Sequence, residues 1–120
     1  VNANLINQLN NDPAIQAIIH RLTSKDKNTE KQPTHDEWNA VYSVSEKYFP
    51  ALCDIKANPK ISPLEYQICV LTKLRFEIAD IVRLTDKDNS FITAKRKRML
   101  PKLLNCTGSA KDFDALILGL

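Results

Sequence analysis

The sequence predicts an all-α fold, and three observations predict it. Only 2 of the 120 residues are glycine, far fewer than the tight turns of an all-β protein require. No segment alternates apolar and polar residues with strand period, whereas several place apolar residues at i, i+3, i+4 and i+7. Helix starts also recur, each an oxygen-bearing cap followed by Pro or, three residues on, by an acid.

The elements follow in order. Leu5, Ile6 and Leu9 have the spacing of one or two helical turns over residues 4–10. Asp12 is an N-cap with Pro13 at the first helical position, where a missing N–H costs nothing. Ile15, Ile18, Ile19 and Leu22 then share one face. Residues 23–33 are polar without periodic apolar residues and read as a flexible loop. Thr34 and Glu37 form a capping box for a helix directing Trp38, Val41, Tyr42, Ser45 and Phe49 to a core. Pro50 opens a short helix with Leu52, Cys53 and Ile55 inward, ended by Asn58-Pro59.

Ser62 and Glu65 form a second box, with Pro63 at the first position and Leu64, Ile68, Cys69, Leu71 and Leu74 as the apolar set. Ile78, Ile81, Val82 and Leu84 mark a short helix, and residues 85–89 a polar turn. Asp88 or Asn89 caps a helix expected to run to about Leu100, because Pro101 lacks the N–H for the Lys97 carbonyl. Ser109 and Asp112 start a last helix holding Phe113, Leu116, Ile117 and Leu120.

Composition excludes several classes. A 43% apolar and 26% charged chain of this length makes one domain, or one domain with an accessory segment. Apolar runs such as 115–118 are a few residues long, against ~20 for a membrane span, and no signal-peptide core is present. Cys53, Cys69 and Cys106 are odd in number and lack metal-ligand spacing, so they read as buried thiols in a reducing, cytoplasmic setting. The start Val-Asn-Ala-Asn, with Met99 as the only methionine, reads as a piece of a longer protein.

No catalytic constellation is evident, and no enzyme, cofactor, metal site or small-molecule substrate is expected. His20 and His35 have no Cys or carboxylate at ligand spacing and read as surface residues. Asp36-Glu37 and Asp112-Asp114 belong to helix first turns, which favour anions. Trp38, Tyr42, Tyr48 and Phe49 read as a core stripe or dimer seam rather than a ligand pocket.

Charge is uneven. Residues 72–102 hold nine basic against four acidic residues, a net +5, and the remainder eight against ten, a net −2. The footprint centres on Lys95-Arg96-Lys97-Arg98. At about 100° per residue, Ile92, Met99 and Leu103 make an apolar seam. Ser90, Thr93, Ala94, Lys97 and Arg98 face away from it, and Lys95, Arg96 and Lys102 flank it. Small outward residues permit approach to base edges, and flanking cations reach phosphates and guanines.

The residues Ser62-Pro-Leu-Glu65, Ile68-Cys-Val-Leu71, Leu74-Arg-Phe76, Ile81-Val-Arg-Leu84, Ser90-Phe-Ile92 and Arg96-Lys-Arg98-Met99 carry a resemblance. The chain resembles the LuxR/GerE-type helix-turn-helix, in the divergent form found at the C-terminus of a group of bacterial regulators. Trp38, Phe49-Pro50 and Leu52 resemble that group's linker, and Asp112-Phe-Asp114 with Ile117 its closing helix. Val82 stands where the family has a small Ala, and Pro101 where a basic residue is common.

The resemblance implies an accessory helical arm over residues 1–59 and a four-helix, LuxR-like helix-turn-helix domain over 60–120. It implies an output domain of a transcriptional regulator, a homodimer binding double-stranded DNA with its recognition helix in the major groove, without membrane contact by this fragment. The parent protein would carry an N-terminal sensory region, in some members membrane-anchored. The expected contact set is Asn89, Ser90, Thr93, Ala94, Lys95, Arg96, Lys97, Arg98 and Lys102. Within it, the resemblance puts Ser90, Thr93 and Lys97 toward bases and Arg96 and Arg98 toward the DNA backbone. The competing expectation is a helix-turn-helix that has lost DNA contact and serves as a protein docking or dimerisation module.

Overall fold

The computed structural model describes Leu9, residues 11–23 and residues 32–120. The expected helical turns at 4–10, apart from Leu9, and most of the expected loop at 23–33 lie outside the described residues. Within them the fold is all-α, with no strand. The helices are α1 (Pro13–Thr23), α2 (His35–Tyr48), α3 (Ala51–Ala57), α4 (Pro63–Lys73), α5 (Ile78–Thr85), α6 (Asn89–Leu104) and α7 (Ala110–Leu118).

The start signals act as the sequence dictates. Asp12 Oδ1 accepts from the Ala14 amide at 2.9 Å. Capping boxes form at Thr34/Glu37, Ser62/Glu65 and Ser109/Asp112. A fourth, Glu77/Asp80, caps α5 where the sequence showed no Ser or Thr. Asp88 caps α6, accepting from the Phe91 amide at 2.7 Å.

Helix ends are less conventional. Arg75, Asp86 and Asn105 are left-handed at φ 69°, 57° and 54°, so a chain with two glycines closes three helices with L side chains in that region. After α4 the Arg75 amide donates to the Thr72 carbonyl and the Phe76 amide to the Leu71 carbonyl, both at 3.0 Å, a Schellman closure. Gly108 serves close approach instead. A Cβ there would lie 2.6 Å from Asp112 Oδ2 and 3.1 Å from Leu100 Cδ1.

One core runs from Leu9 to Ile117 and crosses the expected division at residues 59 and 60. α1 packs on α2 and α5, α3 on α2 and α4, and α4 on α3, α5, α6 and α7. α4 is therefore the central helix. Glu65, Tyr66, Ile68, Cys69, Val70, Leu71, Thr72 and Lys73 are all buried on it, so its burial is broader than the apolar set read from the sequence. On α2, Trp38 stacks on Tyr42 at 5.9 Å between centroids, and Tyr42 meets Tyr66 of α4 at 5.0 Å. Trp38 and Tyr42 of the aromatic stripe thus form a ring contact that reaches α4 through Tyr66.

Two expectations need correction. Cys53 and Cys106 are exposed, and only Cys69 is buried, because α3 turns Cys53 away from its buried pair Leu52 and Ile55. Burial pushes the Cys69 thiol up to about 12, with the Glu65 carboxylate adding to the effect. The second correction concerns α6, which continues through Pro101 to Leu104 instead of ending near Leu100. Pro101 is exposed, and its carbonyl still accepts from the Asn105 amide at 3.1 Å. The next turn is anchored from outside, since Asn58 Nδ2 donates to the Lys102 carbonyl at 3.3 Å.

Arg21 of α1 grips both Glu37 carboxylate oxygens, with Nε 3.0 Å from each. These bonds outweigh the opposing effect of burial, and together with the Thr34 cap they bring Glu37 from its ordinary 4.5 to about 2. A carboxylate depressed in the folded state contributes stability that is full above about 4.5 and lost as pH falls toward 2. Glu37→Gln is expected to lower the urea midpoint at neutral pH and to flatten the acid loss of stability across that window, as followed by far-UV circular dichroism.

Candidate nucleic-acid interface

α6 is the cationic helix, and packing decides what each of its charges does. Ile92, Met99 and Leu100 are buried and fix its rotation. Met99 Sδ lies 3.7 Å from Cys69 Sγ of α4. Two of the five cations then meet carboxylates. Arg96 is 6% exposed, and its guanidinium spans both carboxylate oxygens of Asp114 on α7, with Nε–Oδ1 at 3.0 Å. Its Nη2 also reaches the Ala110 carbonyl at 3.5 Å. Lys102 Nζ lies 2.8 and 3.0 Å from the oxygens of Glu65, itself 1% exposed.

Burial by itself would raise the Glu65 carboxyl. The Lys102 ammonium and the amide and hydroxyl of Ser62 outweigh it and hold the group below the usual carboxylate range. Arg96, buried, and Lys102, half-buried, thus fasten α6 to its neighbouring helices, so these two residues of the expected contact set are already engaged by carboxylates. The reason is geometric: both flank the seam, where α7 and α4 present their acids.

The other cations are differently placed. Lys97 and Arg98 are exposed, and among the described residues neither forms an ion pair. Ser90 is exposed and Ala94 half-buried. With Lys97 and Arg98 they form a strip of small side chains edged by cations, which permits approach of a helix to a groove floor. Asn89 is exposed and Thr93 half-buried. They bond to each other through Thr93 Oγ1 and Asn89 Oδ1 at 3.2 Å, leaving the Asn89 amide nitrogen available as a donor.

Lys95 is half-buried, with its ammonium 5.6 Å from the Phe91 ring centroid. The ring also receives Lys87, at 5.5 Å. Neither Lys87 nor Phe91 was in the expected contact set. The regular spacing of 87, 91 and 95 was a signal, but Lys87 precedes the helix and only the folded turn carries it to the ring. That turn has left-handed Asp86, with the Asp86 and Lys87 amides both donating to the Val82 carbonyl. Val82 itself is half-buried against the core.

A second surface feature lies at the far end of α6. Among the described residues Leu104 and Leu120 are the exposed large hydrophobic ones, and both line a cleft of about 280 Å³ with Ala51, Ile55, Leu103 and Leu116. Among the described residues no cluster of His, Cys, Asp and Glu has the arrangement of a metal site, and no helix is long and apolar enough to cross a membrane. His20 and His35 are exposed.

No family model matches the chain, and no curated protein or solved structure shows significant similarity to it.

Breaking one partner of a largely buried ion pair leaves the other charge unsatisfied. Asp114→Ala is therefore expected to destabilise the fold by about 1–3 kcal/mol, whereas Arg98→Ala stays within ~0.5 kcal/mol of the parent. Urea denaturation of the two variants measures the contrast.

Proposed function

We propose that this chain binds double-stranded DNA through the outer face of α6, with α5, its turn and α6 acting as a helix-turn-helix. The observation that carries the reading is the division of labour on α6. Arg96 and Lys102 are engaged by carboxylates, while Lys97 and Arg98 stand in solvent beside small Ser90 and Ala94. A helix serving only to pack has no use for unpaired cations around a strip of small residues. The major groove admits such a helix, with its small residues nearest the base edges and its cations on guanine or phosphate. The likeness of residues 62–103 to the LuxR/GerE pattern supports the same reading, as does the net +5 of residues 72–102. The role in transcription and the homodimer belong to this proposal.

A second reading, docking on another protein helix, is favoured by the cleft around Leu104 and Leu120. Salt separates the two. Binding that releases counterions from phosphates falls steeply with ionic strength, while an apolar helix interface responds little.

The deciding experiment is fluorescence anisotropy of the purified chain against labelled duplex, titrated from low to physiological salt, with sedimentation reporting the oligomer. Binding is expected at low salt and to weaken steeply. Lys97→Ala combined with Arg98→Ala should weaken it by about tenfold or more without changing thermal stability. A double variant that binds as tightly as the parent would exclude this face.

A further inference from the structure

We propose that Lys87 and Lys95, each held against the ring of Phe91, clamp the DNA backbone along one edge of α6, one phosphate to each lysine; the inference rests on the DNA-binding reading above. The two ammonium groups lie 5.5 and 5.6 Å from one ring centroid. An aromatic face holds an ammonium through its quadrupole, by roughly 0.5–1 kcal/mol at exposed sites, but does not neutralise it. Two ammonium groups are therefore held at one half-exposed ring, and a polyanionic backbone passing that edge of α6 meets both.

Nearby acids among the described residues do not engage these two lysines. Asp88 caps the helix through the Phe91 amide, Asp86 is exposed in the left-handed turn, and among the described residues neither lysine forms an ion pair. The contrast with the cations that do have partners is direct. Arg96 and Lys102 have carboxylates, and Lys73 donates to the Leu118 and Leu120 carbonyls.

The position favours phosphate over base. Phe91 and Ser90 diverge by about 100° around the helix, so the clamp borders the small-residue strip instead of occupying it. Arg98, one turn beyond Lys95, is exposed and continues the row. Lysine is a compact point charge, suited to phosphate oxygens and less to the paired acceptors of guanine. A contact of this kind strengthens binding to every sequence alike.

The test uses the full chain and two labelled duplexes of unrelated sequence, with salt varied from about 50 to about 200 mM. Lys87→Gln and Lys95→Gln are each expected to lower the slope of log affinity against log salt by about 1, and the double variant by about 2, equally on both duplexes. Phe91→Leu keeps both charges and is expected to weaken binding less than the double variant, with the slope largely retained. A steep parental slope unchanged in the double variant would overturn the clamp and leave the DNA reading standing. Loss confined to one duplex would also overturn it, marking a base contact. A parent showing no salt-dependent binding to either duplex would remove the DNA reading, and the clamp with it.

Discussion

Burial of α4 on every side is the constraint on which the rest of the structure depends. A central helix keeps little of its polar surface in water, and its two charged side chains, Glu65 and Lys73, find partners among the helices around it. Glu65, near the start of α4, takes the ammonium of Lys102 from the end of α6. Lys73, at its other end, is 4% exposed and donates to the carbonyls of Leu118 and Leu120 that follow and end α7. Its ammonium also lies 4.6 Å from the Phe49 ring. Burial lowers the affinity of Lys73 for its proton, and the helix-end carbonyls and the ring are what offset that penalty. Arg96 on Asp114 then ties α6 directly to α7. The three helices are joined pairwise by charge as well as by apolar packing.

That arrangement settles the character of the outer surface. With Met99 against Cys69 and Lys102 on Glu65, α6 cannot rotate without exposing apolar surface and separating a buried pair. Its remaining cations are consequently fixed in direction. A run of four consecutive basic residues is divided by the fold into one fastener, Arg96, one ring-bound edge residue, Lys95, and two solvent-facing groups, Lys97 and Arg98. The outward set is thus a consequence of how the inward set is satisfied.

The backbone shows a comparable economy. Arg75, Asp86 and Asn105 adopt left-handed φ where glycine is usual, at a strain of about 1–2 kcal/mol each by general sterics, less for Asp and Asn. Closure hydrogen bonds and the packing on either side hold them. The turn at Asp86 has the added effect of delivering Lys87 to Phe91, so the connection between α5 and α6 shapes the charged surface as well as the chain path.

Most of the local structure was legible in the sequence. The caps at Asp12, Thr34, Ser62, Asp88 and Ser109 announce helices because a side-chain oxygen near a free amide is a local interaction, decided within four residues. The apolar periodicity of Ile15, Ile18, Ile68, Ile81, Ile92 and Phe113 likewise marked core faces, since helix geometry alone sets that spacing. Partners distant along the chain were not legible. That Arg96 meets Asp114, that Lys102 meets Glu65, that Asn58 steadies α6 beyond Pro101 and that Cys53 faces solvent all depend on how helices cross. Local sequence determined which segments are helical and which residues carry charge. Tertiary structure decided which charges are engaged between helices and which are left in solvent, because only packing brings an acid from another helix within reach of a flanking cation.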